Sequence, residues 1–253
     1  MSITILLLTT QMEYNLEDES SNIQFINTQF DTNTQFASNT RYAYKIQKWW
    51  TAKSVVINNK FKTVIEILEK HPSIMRKCLF ELYKISILYN PQKNENKFIY
   101  GKLIEKSLIH ALTLIGFKVT DLDDNHTVGS EYKNDISLLN VNISIKGKLK
   151  KGGDVILINK KSTSKHKINM QLLLCVIQDH KLYFIPSSIV DNSAYVKEDA
   201  GCISYKSKLF TMIDKKYGEY IYTFPDLLED EKTMLSTLKP LDIMSILFKD
   251  TIL

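Results

Sequence analysis

The sequence predicts an α/β fold, a mixed β-sheet flanked by helices, with an N-terminal helical lobe. Three observations carry that prediction. Residues 41–89 hold apolar stripes at helical spacing. Residues 134–147 alternate polar and apolar positions about a short Asn-rich turn, the pattern of a hairpin. Residues 170–177 read Met-Gln-Leu-Leu-Leu-Cys-Val-Ile, a near-continuous apolar run typical of a strand covered on both faces.

Composition sets the limits. A chain of 253 residues with 44% hydrophobic content fills one core, or a core plus a smaller helical lobe. The net charge of +5 is compatible with a polyanionic partner without requiring one. The cations are almost all Lys, with Arg only at Arg41 and Arg76, and Asn and Ile are abundant, as in an AT-rich coding bias. Cys78, Cys175 and Cys202 form no CxxC pair and no two histidines stand at i, i+4. The expectation is a reduced, cytoplasmic protein without structural zinc. The apolar run at residues 3–8 is too short for a signal peptide or a membrane span, and reads as a strand or a frayed start.

In chain order, residues 1–40 read as a polar arm that repeats Asn-Thr-Gln-Phe at 27–30 and 33–36. Phe25, Phe30 and Phe36 are its anchors to the body; the alternative is an arm offering Asn and Gln amides to adenine edges. Residues 41–95 are the helical lobe, with stripes at Tyr42–Trp50, Phe61–Leu68 and Met75–Ile87, broken by His71-Pro72 and ended by Asn90-Pro91, which predicts three short helices. Lys45, Lys48, Lys53, Lys60 and Lys62 interleave with Trp49 and Trp50, either as a solvated face over a Trp core or as a surface for a phosphate backbone. Residues 96–253 form the α/β core with a C-terminal helical extension. In it, residues 181–186 are a strand stopped by Pro186, residues 227–238 a helix and residues 241–247 a last helix.

The chemistry concentrates in residues 100–161. Leu103, Ile104, Leu108, Leu112 and Ile115 make an amphipathic helix capped by Gly116, and Glu105 rides on it between Lys102 and Lys106. Residues 117–120 read as an edge strand. The polar loop 121–133 begins Asp121, Asp123, Asn125, but His126 and Tyr132 exclude a calcium loop. Residues 134–139 form a strand, 140–142 its turn and 143–147 the antiparallel return. Ser144 and Lys146 then share one face, with Asp135 at the mouth of the neighbouring strand. A carboxylate and an ammonium on an otherwise apolar hairpin have no packing purpose. Asp135, Glu105 and the backbone carbonyl of Ile145 suit Mg²⁺, and Lys146 suits an attacking water.

That order of helix with Glu105, strand, Asp135, hairpin, Ser144-Ile145-Lys146 and two further apolar strands resembles the PD-(D/E)xK nuclease superfamily, which includes most type II restriction endonucleases. The resemblance covers roughly residues 100–190. It implies a restriction-endonuclease-like fold, with Asp135 as metal ligand, Lys146 handling the water and Glu105 as the helical Glu of many members. Asn134 stands where Pro is frequent, and Ser144 where Asp or Glu is usual. A water then bridges Ser144 to the metal, or Glu105 or Glu131 supplies the missing carboxylate, or the site is inactive. A second register would set Asp154 against Asn159 and Lys161 but leaves no room for a hairpin, so residues 155–158 read as the next strand. Lys148, Lys150 and Lys151 form a basic turn nearby and, with Lys45 and Lys48, are candidates for DNA contact. The implied protein is a Mg²⁺-dependent endonuclease on double-stranded DNA, a type II restriction enzyme acting as a homodimer. The alternative is a non-catalytic nucleic-acid-binding or interaction protein on the same fold.

Overall fold

A computed structural model of the chain describes residues 32–90, 96–122, 135–159, 171–199 and 202–241. Contacts divide the chain into two units, residues 1–51 and 52–253. The first contains the whole of the expected arm, of which residues 1–31 lie outside the described residues.

Two helices, not three, precede the first break regions. α1 (Thr32–Glu69) runs for 38 residues, joining the first two predicted stripes and taking in the end of the expected arm. The join has a simple cause: between Trp50 and Phe61 the sequence offers neither Gly nor Pro, so nothing stops the helix once it has formed. His71-Pro72 does stop it, and Pro72 starts α2 (Pro72–Leu88) in the first turn, where its missing N–H is no loss. α3 (Asn96–Ile115) carries Glu105 and ends on Gly116, whose φ of 104° gives the left-handed exit.

Six strands make the main sheet: β1 (Val119–Asp121), β2 (Ile136–Leu138), β3 (Val141–Lys148), β5 (Gln171–Val176), β6 (Lys181–Ile185) and β9 (Ile221–Thr223), side by side in that order. β3 and β5 are parallel; the other neighbouring pairs are antiparallel. The sheet is therefore mixed and mostly antiparallel, with β1 on an edge as its sequence predicts. The β2–β3 turn is Leu139-Asn140, both left-handed (φ 51° and 59°), the two-residue form that matches the twist of a hairpin. It sits one residue earlier than the Asn-rich 140–142 stretch suggests, and the register follows, with Ile136 opposite Ile143.

A second sheet, in the order β4 (Val155–Asn159), β8 (Cys202–Tyr205), β7 (Val196–Asp199), is antiparallel throughout. The expected strand at 155–158 is thus present but belongs to this smaller sheet. The short α4 (Asn192–Tyr195) precedes β7, and α5 (Lys208–Lys216) and α6 (Glu229–Thr237) follow β8, the latter inside the helix predicted over 227–238; the helix expected over 241–247 falls outside the described residues but for Leu241.

Alternation along the strands divides the apolar residues between two cores. On one face Ile136, Ile143, Ile145, Leu173 and Phe184 pack with Phe61, Leu68, Leu79, Leu82, Ile104 and Leu108 of the helices. On the other, Leu172, Leu174, Tyr183 and Ile185 meet Ile203 and Tyr205 of the small sheet and Leu209, Phe210 and Ile213 of α5. β5 is buried at every position because it lies between both layers. The helical lobe expected over 41–95 therefore contributes residues 61–85 to the core of the sheet itself. No helix among the described residues is long and apolar enough to cross a membrane.

Candidate active site

The β2–β3 ladder ends at Asp135, and the ending makes the site. The Asp135 N–H donates to the Ile143 carbonyl (3.0 Å), and its own carbonyl accepts from Leu122 N–H (3.0 Å), so its backbone is fixed from both neighbouring strands. Continuing the register from Ile136–Ile143 puts Asp135 opposite Ser144. Its carboxylate then reaches along the edge of β3. Oδ2 accepts from the Ile145 N–H at 2.5 Å and from the Ser144 hydroxyl at 2.9 Å. The side chain takes the place of the ladder's next acceptor and pairs the buried Ile145 N–H, a donor that otherwise needs a partner.

Glu105 comes from the helix on the first core face. It is 8% exposed, an unusual burial for a carboxylate. Its neighbour Ile104 lies against Gly147 of β3, where only a missing side chain admits it. Burial pushes the Glu105 carboxyl above its usual range. The negative charge of Asp135 adds to the rise, the Lys102 ammonium 3.2 Å away pulls against it, and Asp121 contributes a further lift. The two predicted carboxylates are thus electrostatic neighbours, though they come from opposite sides of the sheet plane.

Asp121 is the residue that sequence reasoning missed. It reads as the start of a polar loop, yet it closes β1 opposite Ile136, on the face covered by α3. The only signal was its spacing of two from Val119. Among the described residues no group of three His, Cys, Asp or Glu side chains is close enough to hold an ion between them. The available donor set is two carboxylates and the Ile145 carbonyl, which the alternation of the backbone places on the same strand edge as the amide that Asp135 caps.

Lys146 is half-buried one residue further on, level with Leu174 and on the face of Ser144. Ser144 itself is 0% exposed. The basic turn is partly engaged elsewhere. Lys148 donates to the carbonyls of Gly152, Gly153 (3.0 Å) and Asp154 (3.5 Å), closing its own loop. Lys151 is paired with Asp214 of α5. Lys150 is exposed, as are Lys45 and Lys48 in the first unit. In the second register, Asp154 accepts the Ser207 N–H (3.1 Å) and so starts α5's approach, while Lys161 and Glu131 lie outside the described residues.

No protein-family model, curated protein or solved structure matches the chain.

Proposed function

We propose that this protein is a Mg²⁺-dependent endonuclease that hydrolyses phosphodiester bonds of double-stranded DNA, on a restriction-endonuclease-like fold. Within that class the reading is a sequence-specific type II restriction enzyme acting as a homodimer, since two-fold symmetry suits a palindromic target. The observation that carries the proposal is the junction at the end of the β2 ladder, where Ser144 and Ile145 hold Asp135, Glu105 lies within reach of its charge, and Lys146 follows on the strand. Topology supports it. The helix with Glu105, the strand β1, the β2–β3 hairpin and, after β4, the two apolar strands β5 and β6 follow in the order on which the resemblance to PD-(D/E)xK nucleases rests.

The donor set fits Mg²⁺. It is all hard oxygen, and it is small, which suits an ion that keeps several waters and takes substrate phosphate oxygens. When bound, the ion supplies Lewis-acid polarisation of a phosphate oxygen and lowers the pKa of water. The chain's residues do the rest. Asp135 is held in one orientation by its two donors and presents the remaining carboxylate oxygen. Glu105 brings a second carboxylate whose charge is costly until a cation arrives. Lys146, with three N–H donors, orients the attacking water and meets the negative charge that gathers on the phosphate oxygens.

The second reading, a nucleic-acid-binding protein on the same fold without catalysis, is favoured by one observation: a hydroxyl stands at Ser144 where a carboxylate would bind metal. Incubating plasmid and mixed-sequence linear DNA with Mg²⁺ separates the two. The expected result is discrete fragments from the wild type and a loss on the order of 100-fold or more in Lys146→Ala. DNA binding without cleavage by the wild type would establish the second reading, and equal cleavage by both proteins would remove Lys146 from the mechanism. With only two Arg in the chain, bidentate guanine readout is limited, so the cut sites are A·T-rich; a purely G·C site refutes that part.

A further inference from the structure

The proposed reaction leaves one group unexplained, the hydroxyl of Ser144. We infer that Ser144 is a positioning residue that does not touch the metal ion: with the Ile145 amide it pins Oδ2 of Asp135 and so leaves Oδ1 as the single oxygen that Asp135 gives to a ligand. This rests on the nuclease reading of the site and assigns a definite role to the position where the sequence departs from the resemblance.

Three observations lead there. Ser144 is 0% exposed, on the sheet face where its parallel partner Leu172 packs against the small sheet, so no opening beside its oxygen admits a hydrated ion. Its hydroxyl proton is committed to Asp135 at 2.9 Å. The Ile145 amide occupies the same Oδ2 from the strand edge at 2.5 Å. Two donors on one carboxylate oxygen satisfy both of its lone pairs, which excludes a bidentate Asp135 and fixes the carboxylate plane. Outer partners of this kind govern affinity through the ligand they hold, and their loss costs about 10–100-fold in metal binding.

A carboxylate at position 144 would act differently. It would place a second negative charge against Oδ2 in a spot sealed from water, tolerable only with the cation between them. The hydroxyl instead makes a carboxylate site that is ordered before any ion arrives. It follows that the missing charge is not recovered through a water on Ser144, and that among the described residues the second charged ligand is Glu105.

The test is calorimetric titration of Mn²⁺ and of Cd²⁺ into metal-free wild type, Ser144→Ala and Ser144→Cys, beside cleavage and thermal unfolding. Ser144→Ala binds Mn²⁺ about tenfold or more weakly than wild type, with unchanged stoichiometry. Ser144→Cys, nearly isosteric but a weak donor, behaves in the same way and gains no preference for Cd²⁺. It also serves if Ser144→Ala does not fold. A Cd²⁺ affinity in Ser144→Cys raised tenfold over wild type would make residue 144 a direct ligand and overturn the inference. So would a Mn²⁺ affinity within twofold of wild type in a folded variant, even if the melting temperature drops. Those results leave the nuclease reading standing if the wild type cuts DNA. A wild type that binds neither ion removes both together.

Discussion

Gly147→Ala tests whether the contact between α3 and the sheet places Glu105. Gly147 lies in β3 beside Lys146, and a methyl group built on it would sit 2.7 Å from Ile104 Cγ2, 3.1 Å from Cγ1 and 3.2 Å from Cβ. Rotating the Ile104 side chain relieves the first two contacts but not the third, because Cβ moves only with the helix backbone. Ile104 is fully buried and has no space to retreat into. Overpacking of this kind costs about 1–3 kcal/mol, while replacing Gly by Ala within a strand returns about 0.5–1 kcal/mol of chain entropy. The net expectation is a loss of about 0–2.5 kcal/mol, so the double variant decides the matter. Ile104→Ala alone costs about 2–5 kcal/mol for its cavity. In the double variant the new methyl enters that cavity, so the two losses combine to less than their sum, by about 1 kcal/mol or more. Urea unfolding of the four proteins measures the cycle, and metal titration of Gly147→Ala reports on Glu105. A single variant within 0.5 kcal/mol of wild type, with an additive cycle, would refute the claim that this contact sets the height of α3 above the strands.

The remaining predictions concern charge. Glu105→Gln stabilises the metal-free protein at neutral pH, because the buried carboxyl is pushed up by burial and by Asp135. A raised acid binds its proton more tightly in the folded state, so stability is full below the unfolded value near pH 4.3 and declines as pH rises through the folded value. Unfolding midpoints at pH 4 and pH 8 therefore show the advantage of Glu105→Gln at pH 8 alone. Asp135→Ala does the reverse, destabilising by about 2–4 kcal/mol since it strands the Ser144 hydroxyl and the Ile145 amide; a change below 0.5 kcal/mol in urea denies that role. Asp214→Asn tests the clamp from α5. Burial opposes the charge of Asp214, but bonds from Lys151 and Lys181 outweigh it and hold the carboxyl below its usual range. Tyr183 adds a bond at 3.1 Å. A lowered acid gives stability above the unfolded value near pH 3.9 that is lost as pH falls, so the deficit of Asp214→Asn, about 1–2 kcal/mol at pH 7, closes in acid.

Local signals in the sequence were sufficient for the elements whose partners are near in the chain. The β2–β3 hairpin is legible because its strands alternate and only two residues join them, and β5 because six buried positions leave no polar face to misread. The continuity of α1 was not. Its stripes at Tyr42–Trp50 and Phe61–Leu68 lie on either side of a stretch that pattern alone treats as a gap, whereas a helix ends only where a residue breaks it. The split into two sheets was also hidden. β4 pairs with β8, where Val155 meets Tyr205 fifty positions along the chain, and no periodicity encodes that choice.

At the site, residue types and order pointed to Asp135, Ser144, Lys146 and Glu105, but the nature of their contact was beyond reach. Spacing places Ser144 and Lys146 on one face, yet it does not say that β2 stops at Asp135 and that the side chain takes over from the backbone there. That substitution explains how opposite effects arise within one small site. Asp135 completes a ladder, so the fold gains from its two hydrogen bonds before any ligand is present. Glu105 is buried and near like charges, which outweigh its bond to Lys102, so its carboxyl is held above its usual range. The proposed cation site would use both: one ligand already fixed by the protein, and one raised carboxyl whose anion a bound ion would stabilise.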